Sequence, residues 1–316
     1  MVLSKITVRQ LNYFMVVAEL GSLRMAAASL YVSQPTLSNQ IAQLEREIGS
    51  PVFTRRPRGV LLTSTGRALL KEARIAVGAV SRAERVTRLL AEGSFGELRI
   101  ATVQSLAAGI VPRALERWRE DHPGGLLTLA AFNDPRKLEL ESVTGLFDLA
   151  IGPVPSMNAT QLSIGREEFV VLLPRSSQLL SRAEVELRDL ERTPWVLFES
   201  ANGLSRLHTE LFESRGLHVE GAAYVTQVDV AINLAVAGLG PTLVPLNVIP
   251  EHLRTLARPF VGGHVRELAV YTPGEFDALA RSFIGALRDV VGEEFQGMYE
   301  QRNERQFRDQ TEGRRT

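Results

Sequence analysis

The sequence predicts an α/β protein whose N-terminal part is all helical apart from a short hairpin. Apolar residues recur at helical spacing over most of residues 7–91. Beyond residue 96, short apolar runs of strand length alternate with helical segments, the pattern of strands joined by helical crossovers. A break at residues 92–96, EGSFG, separates the two regions and marks the predicted domain boundary.

Three helices are predicted within residues 7–49, the last two joined by a tight turn. Ser33 is a suitable N-cap for the third helix, Pro35 fits its first turn, and Gly49 ends it. Each helix has an apolar face, formed by Leu11, Phe14, Met15 and Ala18 in the first, by Leu23, Ala26, Ala27 and Leu30 in the second, and by Leu37, Ile41, Leu44 and Ile48 in the third.

The other face of the third helix carries short, uncharged side chains: Gln34, Pro35, Ser38, Asn39 and Ala42. Glutamine and asparagine can form paired hydrogen bonds with an adenine edge in the major groove, and small side chains allow the helix to lie deep in it. The face therefore predicts DNA reading. A helical hairpin with an ordinary polar face is the alternative.

A basic two-stranded wing is predicted to follow, with Arg55, Arg56 and Arg58 ahead of the run VLLTSTG at residues 60–66. Guanidinium groups in such a wing contact phosphates or enter the minor groove. Residues 1–92 contain 13 basic and 6 acidic residues, against 23 and 30 in the remainder, so the two parts carry +7 and −7. This sorting favours a polyanionic partner for the N-terminal part, although it could arise without one.

These residues resemble the LysR-type transcriptional regulators. The shared residues are Gln10, Leu11, Phe14, Ser22, Ala26, Ala27, Ser33, Gln34, Pro35, Ser38, Gln43, Leu44, Glu45, Val52, Phe53, Arg55, Arg58, Leu62, Thr63 and Gly66. Asn39 stands where many members have Arg or His, and Thr65 where Ala is usual. The expected winged helix-turn-helix domain covers residues 1–65 and binds double-stranded DNA. Base contacts are expected from Gln34, Pro35, Ser38 and Asn39, and phosphate or minor-groove contacts from Thr36, Arg55 and Arg58.

One long helix is predicted from Ser64 to Ala91, and residues 66–92 form the linker. Its heptad seam comprises Leu69, Ala73, Ala76, Val80, Ala83, Thr87 and Leu90. A helix packed on its own domain is the alternative to a pairing helix. In the resembled family this helix pairs two subunits, so the resemblance implies a homodimer. Family habit extends this to a homotetramer, with RNA polymerase as a further candidate partner.

Residues 93–292 are predicted to form two α/β lobes of similar size with a mostly parallel sheet. The chain passes between the lobes twice, and a cleft lies between them. Lobe I covers about 93–162 and 266–292, lobe II about 163–265, and the polar tail 293–316 is expected to be disordered. This part resembles the effector-binding domain of the same family, itself similar to periplasmic solute-binding proteins. The shared residues are Ser105, Pro112, Asp148, Pro174, the run 236–240, Val244 and Pro245.

Ligands in α/β lobes bind at the carboxyl ends of strands, near helix N-termini. The loops at these positions contain Gln104, Ser105, Asn133, Asp134, Asn202, Gly203, Ser205, Val228 and Asp229. In the family the matching loops hold small effectors, often carboxylates, with a hydroxyl at the position of Ser105. Each residue could instead be a helix cap. Asp134 or Asp229 facing the cleft would repel an anion or pair with an ammonium or hydroxyl-rich ligand.

Several other classes are disfavoured. The absence of cysteine excludes disulfides and thiolate chemistry, and the five histidines are scattered without metal-ligand spacing. We therefore expect no enzyme, no metal and no cofactor other than the effector. No signal peptide or membrane-spanning run is visible, so we expect a cytoplasmic protein without a membrane partner. The rival interpretations are a solute-binding protein with an accessory N-terminal interaction module and an enzyme that uses the cleft.

Overall fold

The computed structural model describes residues 5–57, 59–91, 97–156 and 159–293. It divides into two compact units, Met1–Gly96 with Leu140–Phe147, and Glu97–Glu139 with Asp148–Thr316. The predicted boundary at residues 92–96 and the predicted tail beyond residue 293 lie outside the described residues.

The first unit contains the three predicted helices, the wing and the long helix. They are α1 (Val8–Leu20), α2 (Leu23–Ser29), α3 (Gln34–Ile48), the antiparallel strands β1 (Phe53–Arg56) and β2 (Gly59–Leu62), and α4 (Ser64–Ala91). Ser33 caps α3 as predicted, and Thr7 and Gln10 form a capping box on α1. Gly49 ends α3 in the left-handed conformation, with φ 78°.

The buried faces of these helices differ in one respect from the prediction. Phe14 is buried as expected, but Val17 and Gln10 are the other buried residues of α1, and Leu11 and Met15 are only partly buried. The reason is that α1 packs against α4 as well as against α2 and α3. The predicted face allowed for packing of α1 against α2 and α3 only, so it left out the positions that contact α4.

The wing is attached to the helices at both of its strands. The Glu45 carboxylate of α3 accepts hydrogen bonds from the backbone N–H groups of Val52, at 2.8 Å, and Phe53, at 3.3 Å. The Val60 N–H donates to the Gly21 carbonyl at 2.8 Å. A Cβ atom on Gly59 would lie 2.2 Å from that same oxygen, so only glycine permits this approach.

Helix α4 has two parts with different surroundings. Ala73 is buried in the core of the first unit, and Leu69 packs against that core. Further along, Val80, Ala83 and Thr87 of the predicted seam are exposed, and the side chain of Leu90 lies outside the described residues. The first part therefore packs on its own domain, as the alternative proposed, while the second leaves its seam uncovered within the single chain.

The second unit contains the remaining strands and helices. In chain order they are β3 (Glu97–Val103), α5 (Gln104–Ala108), α6 (Ile110–Asp121), β4 (Leu126–Phe132), α7 (Pro135–Ser142), β5 (Leu149–Pro153), β6 (Thr160–Leu172), β7 (Trp195–Phe198), α8 (Gly203–Glu213), β8 (Gly221–Val225), α9 (Val228–Val236), β9 (Thr242–Pro245), β10 (Ala257–Arg258), β11 (Val265–Thr272) and α10 (residues 278–293). The last residues of α7 belong to the first unit. The short helix α5 follows β3 directly, and Leu187–Leu190 form a 3-10 turn ahead of β7.

The prediction of a mostly parallel sheet was wrong. The main sheet has the order β10-β6-β11-β5-β3-β4, with β9 also paired to β6, and only the β3–β4 and β3–β5 pairs are parallel. Strands β6 and β11 enter and leave lobe II in opposite directions, so they pair with each other in antiparallel register. Lobe II has its own parallel pair, β7–β8.

A buried ion pair lies where β6 and β11 are paired. Glu167 and Arg266 are direct register partners, and Arg266 Nε donates to Glu167 Oε1 at 2.6 Å. Asn247 Nδ2 donates to the other carboxylate oxygen at 2.7 Å, and the guanidinium carbon of Arg266 lies 5.2 Å from the Phe169 ring centroid. The Glu167 side chain is 2% exposed, so its negative charge is stabilised by these partners and not by water.

We expect Arg266→Met to lower the free energy of unfolding by about 3–5 kcal/mol, because it leaves the Glu167 carboxylate buried without its cation. The double variant Glu167→Leu with Arg266→Met removes both charges and should recover most of that loss. Urea unfolding followed by tryptophan fluorescence tests this, since both tryptophans, Trp118 and Trp195, lie in the second unit. Equal losses in the single and double variants would contradict the role of the ion pair.

Candidate functional site

Helix α3 presents a polar, uncharged surface on one side and a buried apolar surface on the other. Gln34, Pro35, Thr36 and Asn39 are exposed and Ser38 is partly buried, while Leu37, Ile41 and Leu44 are buried. No acidic residue occupies its first turn. The positive end of the helix dipole therefore lies next to side chains that can donate and accept hydrogen bonds, which suits a phosphate-bearing partner.

The Thr36 hydroxyl is part of the N-cap of α3. Ser33 Oγ accepts a hydrogen bond from the Thr36 N–H at 3.2 Å and lies 2.7 Å from Thr36 Oγ1. Thr36 therefore helps to order the first turn, and its exposed hydroxyl retains hydrogen-bonding capacity for a second partner.

The turn between α2 and α3 contains a feature that the sequence analysis did not anticipate. Tyr31 is 96% exposed and has φ 55°, a conformation in which residues other than glycine are uncommon. Its N–H bonds to the Ala28 carbonyl and the following N–H, of Val32, to the Ala27 carbonyl, a helix-ending pattern in which glycine is usual. No signal in the sequence distinguishes this tyrosine.

The wing carries Arg55 and Arg56 with exposed side chains on β1. Arg55 pairs in register with the buried Val60, so its backbone is held while its side chain extends into solvent. The remaining predicted arginine of the wing, Arg58, lies outside the described residues.

The cleft of the second unit brings together six of the nine predicted effector residues: Gln104, Ser105, Asn133, Asn202, Gly203 and Val228. Val103, Pro135, Leu204 and Arg266 complete the lining. The cavity that remains is only about 10 Å³, roughly the space of one water molecule. The Gly203 N–H donates to the Asn133 carbonyl at 2.7 Å, and a Cβ on Gly203 would lie 2.4 Å from Pro135 Cδ. The lobes are therefore closed on each other.

The polar groups of the cleft differ in how far the protein satisfies them. Asn202 is fully engaged, because its Oδ1 accepts from the Leu204 N–H and its Nδ2 donates to the Thr226 carbonyl, each at 2.9 Å. Gln104 Oε1 is buried and has no hydrogen-bond partner among the described residues, and Ser105 beside it is 4% exposed. Arg266 adds a guanidinium group that the sequence analysis missed, since its partner Glu167 is 99 residues away.

The other three predicted residues do not line this cavity. Hydrogen bonds from the Arg136 side chain lower the pKa of Asp134, and its carboxylate also accepts from the Arg136 N–H at 2.9 Å, so it caps α7. Asp229 is exposed in the first turn of α9, where it complements the helix dipole. Ser205 lies in α8 and lines a different pocket of lobe II.

In the part of the chain that the structure describes, no group of three or more histidine, cysteine, aspartate or glutamate side chains could hold a metal ion. None of the helices in that part combines the length and apolar character needed to span a bilayer.

Comparison with known proteins adds sequence and structural relatives. Residues 8–67 match the family described as bacterial regulatory helix-turn-helix protein, lysR family, and residues 91–292 match the LysR substrate binding domain. The HTH-type transcriptional regulator ClcR of Pseudomonas putida is 31% identical over 246 residues, which are 76% of this chain and 83% of ClcR.

Two solved structures share the fold. The crystal structure of CbnR, a LysR family transcriptional regulator, aligns with a TM-score of 0.61 at 22% identity, over 90% of this chain and 99% of CbnR. Full-length CbnR complexed with its target DNA aligns with a TM-score of 0.59 at 23% identity, over 90% of this chain and 100% of that one. With both domains matched in order, the chain belongs to the LysR family of DNA-binding transcriptional regulators, which carry an effector-binding domain behind the helix-turn-helix.

Proposed function

We propose that this regulator reads a specific double-stranded DNA site with helix α3, and that a small molecule held in the cleft controls that binding. The observation that carries the proposal is the division of α3 into a buried face and an exposed, uncharged polar face. A helix held in place from behind can present Gln34, Ser38 and Asn39 to base edges without a charge that would bind any phosphate indiscriminately.

The assigned DNA contacts follow from chemistry and exposure. Gln34 and Asn39 read bases through their amides, Ser38 through its hydroxyl, and Pro35 packs against base edges or methyl groups. Thr36 contacts a phosphate at the N-terminus of the helix. Arg55 and Arg58 bind phosphates or the minor groove from the wing.

Pairing of two chains is assigned to α4. Its exposed seam positions Val80, Ala83 and Thr87 are small or β-branched, which permits close approach of a second helix. A homodimer would hold two copies of α3 at two half-sites, as a two-fold protein requires. Two such dimers would form a homotetramer, and RNA polymerase is the candidate partner for the DNA-bound assembly.

The effector is assigned to the closed cleft. Gln104 Oε1 and the Ser105 hydroxyl offer an acceptor and a hydroxyl side by side, and Arg266 provides a cation at the same cavity. A small carboxylate that also carries a hydrogen-bond donor could bind Gln104 and Ser105 and lie next to Arg266, whose charge is already paired with Glu167. The rival interpretation, a solute-binding protein with an accessory N-terminal module, is disfavoured because family matches cover both parts of the chain.

Selection from random genomic DNA fragments at two salt concentrations tests the DNA-binding proposal. We expect recovery of a partly palindromic site whose half-sites are spaced for a dimer, with affinity that falls as salt rises. Salt-sensitive binding without an enriched sequence would reduce the N-terminal unit to a non-specific DNA-binding module and contradict the assignment of α3.

A matched pair of variants separates base reading from phosphate binding. Gln34→Ala should cost about 1–3 kcal/mol of affinity for the recovered site and leave binding to random DNA unchanged. Arg55→Ala should weaken binding to both DNAs and lower the slope of log affinity against log salt by about 1. Fluorescence anisotropy with both DNAs measures these effects. Equal losses on both DNAs for Gln34→Ala would refute its base-reading role.

The cleft is tested by a thermal-shift screen of small carboxylates, hydroxy acids and amino acids on the full chain. We expect at least one compound whose binding weakens roughly tenfold in Ser105→Ala, because the variant loses one hydrogen bond to the ligand. Ser181→Ala, in an exposed 3-10 turn outside the cleft, is the control and should bind as the parent does. Compounds whose binding is the same in both variants would place the effector elsewhere.

A further inference from the structure

Lobe II contains a second cavity, about 300 Å³ in volume, between helix α8 and the strand pair β7–β8. Its lining is mixed in character. The larger apolar side chains are Leu197, Phe198, Phe212, Leu217 and Tyr224, and the polar ones are Ser205, His208, Thr209, Glu213 and His218. The volume is at the lower end of the range for small-molecule sites and suits a single-ring compound. This pocket shares no lining residue with the cleft, so it is a separate place on the molecule.

The buried polar side chain among the described lining residues is His208 of α8, which is 3% exposed. Its Nε2 lies 2.7 Å from the Leu243 carbonyl oxygen, which can only accept, so Nε2 carries the proton. On the neutral ring Nδ1 is then an acceptor, and this buried atom has no hydrogen-bond partner in the described structure. The rings of Phe198 and Phe212 meet the imidazole edge-on, at centroid distances of 5.4 and 6.0 Å, and fix its orientation.

The imidazole is neutral at physiological pH. Burial lowers the pKa of His208 to about 4, well below the value of 6.5 for a free histidine. One residue that lines the pocket therefore carries a fixed, uncharged and buried acceptor. Buried polar atoms in native proteins are nearly always paired with protein, water or ligand, so Nδ1 can accept a hydrogen bond from a donor of any of these kinds.

We propose that this pocket binds an uncharged single-ring molecule with a hydroxyl or N–H group, which donates its hydrogen bond to His208 Nδ1. The apolar side chains receive the ring. Glu213 at the exposed edge of the pocket disfavours an anion, which separates the expected ligand from the carboxylate assigned to the cleft.

The exposed edge of the pocket is formed by Thr209 of α8 and Tyr224 of β8. A Cβ on Gly221 would lie 2.6 Å from the Tyr224 ring, so the ring lies across that glycine and walls the pocket on the strand side. Tyr224 is 62% exposed and can move aside without disturbing the core, which gives a ligand a route inward.

Phenol is the probe, with toluene and benzoate as matched controls, and binding to the full chain is measured by ligand-observed NMR titration. We expect saturable phenol binding. Toluene has the same shape without the donor and should bind roughly tenfold more weakly, because Nδ1 then stays unpaired. Benzoate should not compete with phenol for this site.

Substitutions on α8 test whether phenol binds in this pocket. Thr209→Trp places a large ring in the pocket edge and should abolish phenol binding, whereas Arg206→Trp, at an exposed position of the same helix outside the pocket lining, should leave it intact. His208→Phe should equalise phenol and toluene. If His208→Phe does not fold, the Thr209 and Arg206 pair together with the phenol-to-toluene ratio still decides the question. Absence of saturable phenol binding, or phenol binding that survives Thr209→Trp, would overturn the proposal.

Discussion

The Glu167–Arg266 ion pair is a constraint that links the fold of the α/β unit to its cleft, because neither charge can be buried without the other. It lies in the β6–β11 ladder, the two strands that carry the chain into lobe II and out again. Because both charges are largely removed from water, the carboxylate, the guanidinium and Asn247 must keep one geometry. That geometry fixes the register of the two strands. It also presents Arg266 to the cleft, so one interaction serves both the fold and the site.

In the N-terminal unit the corresponding constraint is the attachment of the wing to the helices. The Glu45 carboxylate joins α3 to the start of β1, and the bare backbone of Gly59 lets β2 lie against the end of α1. The exposed face of α3 and the arginines of the wing are therefore positioned by groups that never need to touch DNA. Polar side chains at a reading surface cost little entropy on binding when their backbone is already ordered in this way.

Much of this could be predicted from local sequence, and the rest could not for identifiable reasons. Helix ends at Ser33 and Gly49 follow from capping chemistry, which acts between neighbouring residues. The cleft loops follow from the rule that ligands sit at the carboxyl ends of strands. The antiparallel pairing of β6 with β11, and the ion pair within it, join residues about 100 positions apart, beyond any local pattern. The burial of His208 could not be predicted either, because its hydrogen-bond partner Leu243 is 35 positions away in the sequence.

The closed cleft has a kinetic consequence. The cavity lined by the predicted effector residues is only about 10 Å³, so it holds nothing larger than a water molecule while the Gly203 N–H bonds to the Asn133 carbonyl. Any effector that binds there must meet a molecule whose lobes have parted. Its observed association rate would then level off at the opening rate as concentration rises, and its apparent affinity would be reduced in proportion to the open fraction. A substitution that destabilises the closed state would therefore raise the apparent affinity for the effector, even at a position that does not contact it.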